Sequence, residues 1–231
     1  MPFFFDIRYL ICVAPALLLA MWAQWRVRST FESASREPAP LSGAAAARYI
    51  LDSAGATSVV IEEVPGQLTD HYDPQTKILR LSHNVYGSRS LAAVGIAAHE
   101  AGHALQDFQG YPLMSLRNAA VGIANIGSNF GLYAFMFGLM LQMRPLAWLG
   151  IALFSATVLF QLVNLPVEID ASNRAKAQLV QLGIVPPGDM GHVNSVLNSA
   201  AWTYVAGTLQ AVLTLVYYTG FLTGGDRDSE G

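Results

Sequence analysis

AAHEAGHALQ, residues 97–106, sets two histidines and a glutamate into a run of alanine, glycine and leucine. The surrounding residues 90–109 read as one helix: Ser88 or Ser90 caps its start, and Gly110, followed by Tyr111-Pro112, ends it. On such a helix His99 and His103 lie one turn apart and share a face, so both imidazoles reach one small ion. Glu100 is rotated from His99 by about 100°, which suits a base acting on a bound water rather than a ligand. Zinc is the natural ion, because a catalytic zinc takes three protein ligands and keeps one position for water, whose pKa it lowers toward about 7. With five histidines and seven glutamates in the chain, chance supplies this spacing only about 0.003 times. A polar stripe on an ordinary helix is the weaker explanation.

About fifteen residues further on, the chain turns apolar enough to enter a membrane. Apolar residues make up 53% of the 231 and charged residues only 13%, about half the soluble share. Four stretches carry no formal charge and have roughly the length of a bilayer crossing: 9–25, 119–143, 145–165 and 200–222. Only Arg144 separates the second from the third, which predicts a tight hairpin. The first contains Pro15 and competes with a signal-peptide reading, but Asp6 and a lone Arg8 make a poor basic leader. A net charge of −3 gives no basic field for nucleic acid, and the single cysteine, Cys12, excludes an internal disulfide or a cysteine metal cluster.

Ten lysines and arginines fall in 26–118 and 166–199, against Arg8, Arg144 and Arg227 on the other side of the spans. The positive-inside rule then puts both large polar segments in the cytoplasm and both termini outside. Residues 29–42 read as a Ser/Pro/Glu-rich linker, and 43–55 as a short helix closed by Gly55. TSVVIEEV (57–64), QLTDHY (67–72) and KILRLS (77–82) read as strands, the last two joined by a turn at Asp73-Pro74-Gln75-Thr76. Pro166 reads as the first-turn residue of a separate helix running to Leu182, and Asp189 as a cap for a helix leading into the last span.

A catalytic zinc needs a third ligand, and no third histidine follows within a dozen residues of the pair. Glu168 is the favoured carboxylate, on the same predicted side and at the membrane edge, where charge is expensive. Its alternative use is a first-turn carboxylate that complements the helix dipole. His71, His83 and His192 each fall in or near a probable turn or cap, and Asp73 is already explained by turn chemistry. Arg174 is a candidate for holding a substrate carboxylate, with a solvated helix face as its plainer use.

HEAGHALQ, NLPVEIDASNRA (164–175), LTDHYDP (68–74) with KILRLS, and TYVA (203–206) together resemble the YugP-type membrane zinc metallopeptidases. The likeness runs from about Leu68 to the last span. More distantly the arrangement resembles the HtpX-type membrane proteases, which carry an aspartate four residues after the ligand glutamate. Ser172 stands there in this chain, and Asp170, two residues after Glu168, faces elsewhere on a helix. The resemblance implies peptide-bond hydrolysis, one Zn2+ per chain on His99, His103 and Glu168, and a mainly α, zincin-like core with a small sheet anchored by about four transmembrane helices. In such cores an extended substrate pairs with a strand along the cleft, for which KILRLS is the candidate. Tyr204 is the candidate donor to the oxyanion, with an interfacial aromatic as its plainer use; His192 is a lesser candidate for the same task.

The expected organisation is a transmembrane helix in 1–28, a cytoplasmic catalytic segment in 29–118, a transmembrane hairpin in 119–165, a cytoplasmic helical segment with the third ligand in 166–199, and a final transmembrane helix with a short tail in 200–231. The expected protein is a multi-pass cell-membrane zinc endopeptidase with Glu100 as general base, acting at the cytoplasmic face on protein or peptide substrates, preferentially membrane-tethered ones. A metal-binding scaffold without turnover is the competing class, against which an intact Glu100 speaks. A hydrolase of non-peptide amides or esters would show the same residues.

Overall fold

The computed structural model describes residues 6–227, with side chains to residue 224; the ends of the first and last expected segments, 1–5 and 228–231, lie outside the described residues. The elements are α1 (Ile7–Ser35), α2 (Gly43–Ser53), β1 (Val60–Val64), β2 (His71–Asp73), β3 (Ile78–Ser82), α3 (His83–Tyr86), α4 (Leu91–Phe108), α5 (Pro112–Met140), α6 (Arg144–Gln181) and α7 (Met190–Arg227). Four of them, α1, α5, α6 and α7, are long and apolar enough to cross a membrane. The chain is a mainly α membrane protein with one small sheet, as the sequence predicts.

Contacts divide the chain into two compact units. The first comprises Met1–Trp22, Leu116–Leu165 and Thr203–Gly231. Lipid tails are as apolar as leucine, so helices in a membrane associate by close packing of small residues. The α5–α6 hairpin packs that way. A Cβ on Gly127 would lie 2.3 Å from the Leu153 carbonyl oxygen, and one on Gly150 would lie 2.3 Å from the Phe135 nitrogen. Residues 141–143 close the hairpin, with Gln142 in the left-handed region at φ 55°. Elsewhere in this unit Phe135 stacks on Tyr218 at 4.2 Å between ring centroids, and the Tyr217 hydroxyl donates to Asp6.

The second unit comprises Ala23–Ser115 and Pro166–Trp202. Its centre is α4, whose side chains are buried on nearly all sides, the signature of a core helix rather than a surface one. Ser90 caps it by accepting a hydrogen bond from the Ala93 N–H, and Gly110 at φ 66° turns the chain out at its end. Helix α2 packs along it, with Ile50 and Leu51 fully buried. The sheet has the order β1-β3-β2, with β1 parallel and β2 antiparallel to β3. In the β2–β3 turn Asp73 accepts from the Thr76 hydroxyl and the Gln75 N–H, which hold its carboxyl down at about 2.

Three local expectations change, and one short element is added. The first half of the 29–42 linker is helical, because α1 continues past the apolar stretch to Ser35 and buries Thr30 and Ala34. Residues 83–86 form a helical turn that the sequence did not announce. Pro166 does not begin a helix: α6 runs unbroken through it. The helix hydrogen bond lost because proline has no N–H is outweighed by burial of Val167 and Ala171 beyond it. Finally, β3 is the middle strand, and Ile78–Arg80 are paired on both sides, so KILRLS does not offer a substrate strand the open edge expected of it over those residues.

What brings α4 against α6 is an absent side chain. A Cβ on Gly102 would lie 2.5 Å from the Ala171 carbonyl oxygen and 3.1 Å from its carbon. Those are backbone atoms, which cannot rotate away. Gly102→Ala should therefore lower stability by about 1–3 kcal/mol despite alanine's better helix propensity. Gly191→Ala, where a Cβ meets nothing within 4 Å, serves as the control. Thermal melts of the two variants check this; equal stability would remove the close approach as a constraint.

Candidate metal centre

His99 and His103 project from one face of α4, with ring centroids 4.7 Å apart and planes at 81°. Glu168 comes from α6, where α4 and α6 meet. Its Oε2 lies 3.3 Å from Nε2 of His99 and 3.3 Å from Nε2 of His103. All three potential ligand atoms fall within 4.8 Å of one another. A tetrahedral zinc with bonds of about 2.0–2.1 Å separates its ligand atoms by about 3.3 Å, so the carboxylate sits at the right spacing from both imidazoles. Two neutral nitrogens and one carboxylate oxygen are also the donor chemistry that zinc takes. The residues present fit the ion.

Because α6 is continuous, Glu168 lies deep inside a helix and not in a first turn. The dipole use that competed with ligation is therefore excluded, since that effect fades within one turn of the helix end. Glu168 is only 3% exposed. A buried carboxylate requires a compensating cation or hydrogen bonds, and the imidazoles are what it faces.

The other ring nitrogens are held from behind. The Gln106 amide nitrogen lies 2.8 Å from the Val167 carbonyl oxygen and 2.8 Å from Asp170 Oδ2, and both partners can only accept. The amide orientation is thereby fixed, and its oxygen faces His103 Nδ1 at 2.9 Å. An oxygen there requires the proton to be on Nδ1, which leaves the Nε2 lone pair for a metal. Ser172 Oγ lies 3.1 Å from His99 Nδ1 and is able to accept the corresponding proton. Burial disfavours a charge on His103, but the Glu168 carboxylate outweighs it, and the ring's pKa is raised. The pocket attracts a positive charge.

Sequence reasoning missed Gln106 altogether, although it lies one turn after His103 in the quoted stretch. At the position where the HtpX-type proteases carry an aspartate, Ser172 brings a shorter neutral acceptor to His99. Asp170 is not among the three converging residues, but it reaches the centre through Gln106. Arg174 is tied to Asp170 and Gln109, with its guanidinium 5.5 Å over the Tyr111 ring, so it braces this network rather than projecting into solvent.

Glu100 is buried next to the pair, and among the described residues its carboxylate has no hydrogen-bond partner. His71 Nδ1 meets the Thr69 carbonyl oxygen within its own loop, and His83 pairs with Glu63. His192 lines a separate cavity of about 360 Å³ with Arg26 and Ser195, which includes none of the three converging residues. Tyr204 is half-buried on α7 and belongs to the first unit, whereas the three converging residues belong to the second.

Ser172→Ala and Gln106→Leu each remove a partner of an imidazole without touching the converging atoms. Each should weaken zinc binding by about 10–100-fold, read as zinc retained in competition with a chelator. Unchanged affinity in both variants would mean that the rings are oriented by packing alone.

Comparison with known proteins supplies the family. Residues 9–223 match the family described as "Putative neutral zinc metallopeptidase". Over 223 residues the chain is 42% identical to the "Putative membrane protease YugP" of Bacillus subtilis (strain 168), an alignment that covers 95% of this chain and 99% of the other. No solved structure matches. A match along almost the whole length, together with a His/His/Glu cluster of the right donor chemistry, leaves one conclusion: the chain belongs to this family of membrane zinc metallopeptidases.

Proposed function

We propose that the protein is a zinc-dependent endopeptidase in which His99, His103 and Glu168 hold one zinc ion per chain and Glu100 is the general base. The observation that carries this reading is the convergence of Glu168 Oε2 on both Nε2 atoms at 3.3 Å. Zinc, when bound, supplies Lewis-acid polarisation and makes a water acidic enough to ionise near neutral pH. His99 and His103 present neutral Nε2 lone pairs because Ser172 and Gln106 take the protons on the opposite ring nitrogens. Glu100, next in sequence to His99 but turned about 100° around the helix, accepts the proton of the attacking water and passes it to the leaving amine. Its lack of a competing hydrogen bond supports that task.

Glu100→Gln should keep zinc near one per chain and reduce proteolysis by at least about 10²–10⁴-fold. Glu168→Ala should lose zinc as His99→Ala does, whereas Asp170→Ala should keep most of it. Metal analysis with expression and folding controls, alongside proteomics of cells carrying wild type or Glu100→Gln, separates the assignments. Full turnover by Glu100→Gln would overturn the base, and full zinc in Glu168→Ala would overturn the ligand set.

The reading extends to the side of the membrane. Helix α6 carries both the apolar stretch 145–165 and Glu168 three residues beyond it, which supports chemistry close to the bilayer and substrates tethered to it. The ten-to-three distribution of basic residues supports a cytoplasmic site. A reporter fused after Gly231 should report the outside and a tag at residues 36–42 the cytoplasm. Inversion at both positions would move the site to the other face.

A further inference from the structure

The face of α5 turned away from its hairpin partner carries polar side chains where a membrane helix should carry apolar ones. Around the helix, Gly127, Gly131, Phe135 and Gly138 point to α6. The opposite sector holds Gly122, Asn125 and Asn129, and both asparagines are exposed to the surroundings of the whole chain. They are not at the end of the span. The uncharged stretch 119–143 is centred on residue 131, so Asn129 and Asn125 stand roughly 3 and 9 Å from its middle at about 1.5 Å per residue. The hydrocarbon core extends about 15 Å either side of the centre. Both amides are therefore at hydrocarbon depth.

Asparagine is costly there without partners, and an amide has two donor hydrogens and an acceptor oxygen to satisfy. Asn129 uses one donor on the Asn125 backbone carbonyl, at 2.8 Å. The Ser128 hydroxyl donates to the same carbonyl. The Asn125 side chain makes no hydrogen bond among the described residues. The neighbouring outward residues Ile123, Ile126 and Phe130 are apolar and exposed as lipid-facing side chains should be. The two asparagines lie about 40° apart around the helix, with the exposed Ser128 hydroxyl and the Tyr133 ring to either side of them.

We infer that this sector of α5 is a self-association surface, and that its partner is α5 of a second copy of this chain. Two features of the sector select a second copy. An amide is self-complementary, because the donor of one asparagine fits the acceptor of its equivalent. Two copies also insert with the same topology, so a two-fold axis along the membrane normal brings Asn125 and Asn129 to their own equivalents at equal depth. Gly122, where a Cβ would meet nothing within 4 Å, leaves room for the backbones to approach at one end of the sector.

The test keeps both asparagines and places single cysteines around them in full-length protein, in native membranes, with Cys12→Ser. Under mild oxidant, Gly122→Cys and Leu132→Cys, which border the two asparagines, should give a disulfide-linked species of twice the chain mass. Ile123→Cys and Phe130→Cys, on the lipid-facing side, should give little. Adding Asn125→Leu and Asn129→Leu should cut the linked fraction by about tenfold, with zinc content unchanged as the check on folding. Equal linking at all four positions, or none at the flanking pair, overturns the proposal. So does an adduct with a different membrane protein, which would make the sector a docking face for another helix, and so does linking that survives the double leucine variant.

Discussion

Where α4 meets α6, the Ala171 carbonyl oxygen occupies the place that a side chain at position 102 would need. That contact sets the spacing of the two helices, and the spacing sets how His99, His103 and Glu168 converge. Glu168 and Ser172 lie on α6 on either side of Ala171, and His99 and His103 on α4 on either side of Gly102. Carboxylate-to-imidazole distances of 3.3 Å follow only if the backbones approach this closely. A glycine between two histidines is therefore part of the construction of the site, even though it contributes no chemistry.

Close approach also forces polar groups into an alanine-rich interior, where an unpaired donor or acceptor is costly. The chain answers with a closed set of partners. Gln106 is fully buried and spends both amide hydrogens and its oxygen within the network. Asp170 joins Gln106 to Arg174, and Arg174 lies over Tyr111. One consequence is structural, since α4 and α6 are fastened where they touch. Another is electronic, since the proton of His103 is assigned to Nδ1. Such networks rigidify when every member is satisfied, and a ring held this way does not have to be reoriented when a ligand binds.

Two packing regimes coexist in the chain. The second unit has a conventional hydrophobic core in which leucine, isoleucine and valine are buried around α4. The first relies on glycine-to-backbone contacts and aromatic stacking, because in lipid there is no gain from hiding apolar surface. Exposed leucine, isoleucine and phenylalanine on α1 and α5 are consistent with that solvent. Against this background an outward asparagine is informative in a way that an outward leucine is not.

The sequence alone determined the candidate spans, helix α4 with its caps, and the pairing of two histidines on one of its faces, because each rests on a local signal: an uncharged run, a serine or glycine at a boundary, a four-residue spacing. It also pointed to Glu168, through the cost of a charge beside a membrane segment and through family likeness. The remainder depended on residues distant in the chain. Pro166 signals a helix start locally, but burial of its neighbours carries α6 through it. KILRLS has the composition of a cleft strand, yet pairing on both sides makes it the middle of the sheet. Gln106 and Ser172 look like ordinary polar residues until α4 and α6 are brought together, 61 residues separating Gln106 from the Val167 carbonyl it meets. Spacing along one helix can be read from the chain, but partners across two helices are fixed only by how closely the backbones pack.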